Sequence, residues 1–248
     1  LHPDNKKVLF VDGRGGVNYS IVSRTVDGSP LTTLGEGDLE GISPDGNWVL
    51  AQVATPPGAA VYPIGTGTAR KLPAGPLVQF HNGFWFPDNE HVLIIGNESG
   101  EPVRCYRQSI SGGPPVLIPL VGAESFDLLT RDGSAILGQD ANRDWFLFPL
   151  DGGTPRPMPG VHDRDEIWAW NPDGTALYVT ERREVPSTLI RVDLATQERQ
   201  PDFVLGPATE PGLVWLTLNG SVFDPDNGYG YSYLKSLSKL FVVDGARW

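Results

Sequence analysis

The stretch "GISPDGNWVLAQV", residues 41–53, joins a turn signal to an apolar run of strand length. Pro44 has its φ angle already set, Asp45 can accept hydrogen bonds from nearby backbone, and Gly46 can take the left-handed conformation. The residues that follow, Trp48 to Val53, are mostly apolar and rich in strand formers. The stretch therefore predicts a tight hairpin turn that leads into a buried β-strand.

The same turn signal recurs along the chain. Related segments read "HPDNKKVLFV", "FPDNEHVLIIG", "TRDGSAILG", "NPDGTALYV" and "DPDNGYGYSY". Their intervals are 41, 43, 44, 41 and 53 residues, counted between the motif aspartates Asp4, Asp45, Asp88, Asp132, Asp173 and Asp226. Such periods are typical of propeller blades or helical arrays. The runs after the turns lack a helical period, which favours blades.

A second turn signal follows each motif aspartate by roughly 20 residues, as at Asp27-Gly28, Gly112-Gly113 and Gly152-Gly153. Two turns in each repeat separate four short strands, which is the pattern of a propeller blade. We therefore expect a single all-β propeller domain over residues 1–248. Six blades of about four antiparallel strands, with incomplete terminal blades, fit the six motifs, and five or seven blades stay open. An incomplete blade would leave an edge through which two copies could pair as a homodimer.

The composition limits the partners of this domain. The formal net charge is −11 and the pI about 4.7, so the surface repels phosphate backbones and nucleic acid is not an expected partner. The single cysteine, Cys105, cannot form a disulfide within the chain. No apolar run reaches the length of a membrane helix, so we expect contact with a membrane only through a segment upstream of Leu1.

The repeat resembles the TolB-type, WD-like propeller family. More closely, "NYSIVSRTVDGSPLTTLGEGDLEGISPDGNWVLA", "FPLDGGTPRPMPG" and "YGYSYLKSLSKLFVVDG" resemble the C-terminal propeller region of bacterial serine/threonine protein kinases. That resemblance implies an extracytoplasmic sensor or protein-interaction domain, in the periplasm or at the cell surface, that binds a protein, a peptide or a small polar ligand. Two alternatives stay open: an accessory propeller of a prolyl-oligopeptidase-like hydrolase, and a propeller lyase or hydrolase in its own right.

The sequence offers no motif for catalysis within this chain. There is no Gly-x-Ser-x-Gly elbow, and the four histidines, His2, His81, His91 and His162, lack metal-binding spacing. The motif aspartates recur once in each repeat, which indicates a role in turns. We therefore expect no catalytic residue, no metal and no cofactor. An enzyme would instead need a base such as His81 or His162 beside a carboxylate.

Candidate binding residues are expected where the repeats differ from one another. In a propeller, the loops between the second and third strands of each blade and the links between blades emerge on one face, around the axis. Charged and polar side chains of those segments predict a ligand-binding face, with Phe80, Phe84, Trp168 and Trp170 nearby. The predicted residues are Arg14, His81, Glu98, Asp140, Arg143, Asp163, Arg164, Glu166, Arg182 and Arg183.

Overall fold

The computed structural model describes residues 2–4, 6–13, 19–54, 56–181 and 187–205, together with the backbone of residues 213–224 and 228–235. These residues form antiparallel β-sheets. The part of the chain that the structure describes contains no helix that is long and apolar enough to cross a membrane. The all-β class is as the sequence predicts.

Four sheets have the four strands of a propeller blade, and the N-terminal sheet has three. We number these five sheets as blades 1 to 5. Blade 1 contains β1 (Lys7–Asp12), β2 (Ser20–Thr25) and β3 (Thr32–Glu36); blade 2 contains β4 (Asp38–Ile42), β5 (Trp48–Ala54), β6 (Pro57–Pro63) and β7 (Arg70–Leu72). Blade 3 contains β8 (Leu77–Trp85), β9 (His91–Glu98), β10 (Arg104–Ser109) and β11 (Val116–Ile118). Blade 4 contains β12 (Ser125–Leu129), β13 (Ala135–Gln139), β14 (Trp145–Pro149) and β15 (Arg156–Pro157); blade 5 contains β16 (Asp165–Trp170), β17 (Ala176–Glu181), β18 (Ser187–Asp193) and β19 (Arg199–Leu205).

The prediction of six blades is wrong. After blade 5, the described chain forms a two-stranded hairpin of β20 (Leu213–Asp224) and β21 (Gly228–Lys235), and five sheets carry the blade pattern. With 12 residues, β20 is longer than the first strand of blades 2 to 5, each of which has 5 to 9 residues. The sixth motif aspartate, Asp226, lies outside the described residues. Its interval of 53 residues already departed from the period of the other five.

The five described motif aspartates stabilise turns, as the sequence predicts. Asp132 accepts hydrogen bonds from the backbone N–H of Ser134 at 3.0 Å and from the Thr130 hydroxyl at 2.7 Å. The Ser134 backbone contact, followed by the Thr130 hydroxyl, lowers the pKa of Asp132 below its ordinary value. Asn89, which stands where three of the other turns have glycine, has a φ of 60°, so asparagine meets the same left-handed requirement.

The hydrophobic core consists of layers that lie between successive blades. The second strand of each blade is buried on both faces, because its alternate side chains enter two different layers. In β5, Val49 and Ala51 pack with blade 1, whereas Leu50 packs with blade 3. In β9, Leu93 joins a layer shared with blade 4. This explains why the run after each turn signal is apolar throughout.

Tryptophans on the first strands of blades form hydrogen bonds to the preceding blade. The Trp170 indole N–H of blade 5 donates a hydrogen bond of 2.7 Å to the backbone oxygen of Leu129 in blade 4. In the same way, the Trp85 indole donates to Gly41 of blade 2 at 3.3 Å. Both rings pack in the layers between blades, so these large aromatics are structural rather than ligand-binding.

Candidate functional site

The strand registers place one end of every complete blade on the same face, which we call the mouth. There the start of each first strand pairs with the end of the second strand, as Leu77 pairs with Glu98 and Asp165 pairs with Glu181. First strands of neighbouring blades contact each other, β4 with β8 and β12 with β16, so they line the axis. The turns with the motif aspartates lie at the opposite end.

Two of the predicted binding residues lie at the mouth of blade 3. His81 is exposed on β8, and its Nε2 is 2.9 Å from the side-chain oxygen of Asn97. Glu98 ends β9 and accepts a hydrogen bond of 3.2 Å from the hydroxyl of Tyr106. The recorded partner of His81 is an amide, which orients the imidazole but does not act as the carboxylate of a catalytic pair.

Beside these residues, an apolar pocket opens between blades 2 and 3. It is shallow, with a cavity volume of about 10 Å³, which is room for about one water molecule. Its walls come from Pro57 and Gly58 at the start of β6, from the link at Pro73, and from Leu77 and Phe80 of β8. Sequence reasoning placed Phe80 near the mouth but did not find the pocket, because its walls come from segments that are distant along the chain.

Of the other predicted residues, Asp140 and Arg143 lie in the loop between β13 and β14. Asp140 accepts backbone hydrogen bonds from Asn142 at 2.9 Å and Asp144 at 3.0 Å, so its carboxylate shapes its own loop. Arg143 of that loop is exposed, with a φ of 68°. Asp163 and Arg164 are exposed in the link before β16, whereas Glu166 is half-buried on β16; Arg14, Arg182 and Arg183 lie outside the described residues.

An ionic network at the mouth of blade 5 was not predicted. Arg199 on β19 donates to both carboxylate oxygens of Asp165, at 2.6 and 3.0 Å, and to Glu181 at 3.0 Å. The Asp165 side chain has no exposed surface. Burial acts to lower the pKa of Arg199, but Asp165 and Glu181 outweigh that effect and raise it. Arg199 is 34 residues from Asp165 in sequence, so only the fold reveals the pair.

The same network also brings a histidine close to the two carboxylates. Ligand atoms of His162, Asp165 and Glu181 lie within 4.8 Å of one another. Such a trio has donor types that a divalent cation accepts. However, the Arg199 guanidinium already forms ion pairs with both carboxylates, so a cation would have to compete with it. The arrangement therefore fits an ion pair better than a metal site.

Two further carboxylates lie on the first strands that line the axis. Register shifts leave Glu40 of β4 and Asp127 of β12 at β-bulges, and both are half-buried. Burial raises the pKa of Glu40 to about 7. Burial, followed by repulsion from Glu166, raises the pKa of Asp127 to about 6. A signal was present in the sequence, because both lie five residues before a motif aspartate and directly follow an apolar residue, Leu39 or Phe126.

The strand order and the mouth define the chain as a β-propeller. No family profile matches the chain, and no curated protein matches it. Among solved structures, it is similar to TolB from Acinetobacter baumannii, with 17% identity and a TM-score of 0.60 over 81% of this chain and 52% of that one. It is also similar to a putative TolB from Agrobacterium tumefaciens, with 16% identity and a TM-score of 0.54 over 82% and 83% of the two chains.

A third similar structure is an oligogalacturonate lyase from Vibrio parahaemolyticus. The identity is 15% and the TM-score 0.58, over 98% of this chain and 78% of the lyase. The chain spans about half the length of the A. baumannii TolB. At these identities the likeness establishes the fold, which is that of the TolB-type propellers, and the predicted TolB-like fold is confirmed. The resemblance to kinase propellers stays a prediction.

Proposed function

We propose that this chain is a non-catalytic binding propeller whose mouth recognises an extended segment of a protein partner. The observation that carries the proposal is the apolar pocket between blades 2 and 3, with the polar side chains of His81 and Glu98 beside it. A shallow apolar contact surface with polar groups at its rim is suited to one apolar side chain of a peptide that lies across the mouth.

The polar groups of the mouth support binding rather than catalysis. His81 lies against the Asn97 amide, and the carboxylates near His162 are engaged by Arg199. A base without an available carboxylate partner, or with one already ion-paired, is poorly suited to proton abstraction. Following the sequence resemblance, we place the domain outside the cytoplasm, as the sensor region of a bacterial serine/threonine kinase. The homodimer through an incomplete blade belongs to the same proposal.

The proposal is tested by blocking the pocket. A Cβ built at Gly58, which lines the pocket, meets no atom within 4 Å, so Gly58→Leu adds an apolar side chain at the pocket without a clash at its Cβ. Gly65, in the turn at the opposite end of the blade, is equally open and provides the control Gly65→Leu. Dodecapeptides are selected from a random library on the wild-type protein, and their affinities are measured by fluorescence anisotropy.

We expect the selected peptides to bind at least tenfold more weakly to Gly58→Leu, and to bind Gly65→Leu as they bind the wild type. Equal affinity for the two leucine variants, or a selection that enriches no peptide, would contradict the proposal. The alternative that the chain is an enzyme is tested with a panel of esters, glycosides and oligogalacturonate as substrates. Turnover that disappears in His162→Ala or His81→Ala would make the chain a lyase or hydrolase instead.

A further inference from the structure

Two bulges place carboxylates between the first strands of successive blades. The ladder between β4 and β5 shifts between Leu39 and Gly41, and the bulge falls at Glu40. The ladder between β12 and β13 shifts in the same way around Asp127. Since a bulge re-aims the extra residue, each carboxylate can leave its own sheet and face a neighbour.

Each of these carboxylates interacts with the first strand of the next blade. An Oε2 atom of Glu40 accepts a hydrogen bond of 3.2 Å from the backbone N–H of Gly83 on β8. Asp127 lies close enough to Glu166 on β16 to be repelled by it. A side chain at Gly83 would place its Cβ 2.7 Å from Leu50 of β5 and 2.9 Å from Phe80 of β8 itself, so glycine allows β8 to pack closely against blade 2 here.

Few charged groups on the surrounding strands can compensate a negative charge at either position. β5 and β13 contain no titratable residue, and β8 contains only His81. Near Glu40, β4 itself contributes the repelling Asp38. The remaining titratable residues on the strands that pack against these two carboxylates are Lys7 and Asp12 of β1, Arg24 of β2, and Asp165 and Glu166 of β16.

We propose that Glu40 and Asp127 make the contacts between the first strands of neighbouring blades sensitive to protonation. These strands pack closely around the axis when the two carboxyl groups are neutral, and they separate more readily when the groups ionise. A neutral carboxyl can remain between the strands, whereas a carboxylate there loses hydration that it recovers only when the strands part. The raised pKa values of about 7 and about 6 set the transition between mildly acidic and mildly alkaline solution. This inference concerns the fold and does not depend on the proposed ligand.

Hydrogen exchange of the β8 amides, followed by mass spectrometry at pH 5.5 and 8.0, tests the proposal. The exchange rate measured for each segment is divided by the intrinsic exchange rate of its unprotected amides at the same pH. If opening allows Glu40 to titrate normally, the opening equilibrium increases by about tenfold to thirtyfold over this range. We expect this loss of protection in the wild type, and a pH-independent protection in Glu40→Gln. The exposed residue Glu90 provides the matched control, Glu90→Gln, which should behave as the wild type does.

Asp127→Asn provides an independent arm, should Glu40→Gln fold poorly. It should remove the pH dependence from the amides of β16 and leave that of β8 unchanged. Corrected protection in the wild type that does not change with pH would overturn the proposal. So would a pH dependence of β8 that persists in folded Glu40→Gln, or one of β16 that persists in Asp127→Asn.

Discussion

Replacing Arg199 with alanine should be among the most damaging single changes at the mouth. The guanidinium makes two hydrogen bonds to Asp165, one to Glu181 at 3.0 Å and one to the backbone oxygen of Gly160 at 2.9 Å. Without it, the fully buried Asp165 carboxylate would retain the backbone N–H of His162, at 2.8 Å. Breaking a buried ion pair from one side costs about 3–5 kcal/mol.

The Arg199 side chain is itself 17% exposed, so we expect the lower end of that range, about 3 kcal/mol. The matched control is Arg191→Ala, because Arg191 pairs with Asp193 at 3.6 Å and both side chains are about one-third exposed. Exposed pairs of that kind contribute about 0–1 kcal/mol. Urea unfolding, monitored by tryptophan fluorescence, gives the free energy of unfolding of each variant.

The double variant Arg199→Ala/Asp165→Asn adds a second test. Removing the buried charge should restore part of the loss, since much of the cost comes from leaving a carboxylate buried and unpaired. A loss in Arg199→Ala no greater than that in Arg191→Ala would refute the reasoning. A double variant no more stable than the single variant would show that lost packing, rather than the unpaired charge, dominates.

Three other results are expected. Asp132→Ala should lower the free energy of unfolding by about 1 kcal/mol at pH 7. Because folding lowers the pKa of Asp132, the difference between variant and wild type should hold above pH 4 and shrink as the pH falls through the lowered value. Urea unfolding at pH 7 and pH 3 measures this difference. Gly138→Ala should lower the free energy of unfolding by more than 2 kcal/mol, or the melting temperature by about 4–8 °C, because the new Cβ would collide with the backbone oxygen of Ser125. In the control Gly65→Ala the new Cβ meets no atom, so this variant should melt as the wild type does. Cys105 is buried, and burial raises the pKa of its thiol, so labelling by iodoacetamide should be at least a hundredfold slower in the native protein than in urea; equal rates would contradict its burial.

The sequence was sufficient for features that depend on local chemistry. Each turn needs an acceptor such as Asp132 and a residue tolerant of positive φ, such as Asn89, and both requirements can be read from a few adjacent letters. The blade count could not be read in this way, because six turn signals do not require six equivalent sheets. The pair of Arg199 and Asp165 depends on a contact between the first and last strands of blade 5. Similarly, the contact of Glu40 with the next blade depends on where a bulge falls in the ladder between β4 and β5.

Because the apolar layers lie between blades, the described residues of blades 2 to 4 share every buried cluster with a neighbouring blade and form no core of their own. The layer that contains Leu137 and Leu177 belongs equally to blades 4 and 5. Cutting the chain at a link between two of these blades would therefore expose an apolar face on each fragment. The two fragments would then tend to associate with each other and with unrelated proteins. The layers also make every blade a module that fits any neighbour presenting a similar face. Gene duplication could thus add or remove whole blades while preserving the packing of those that remain.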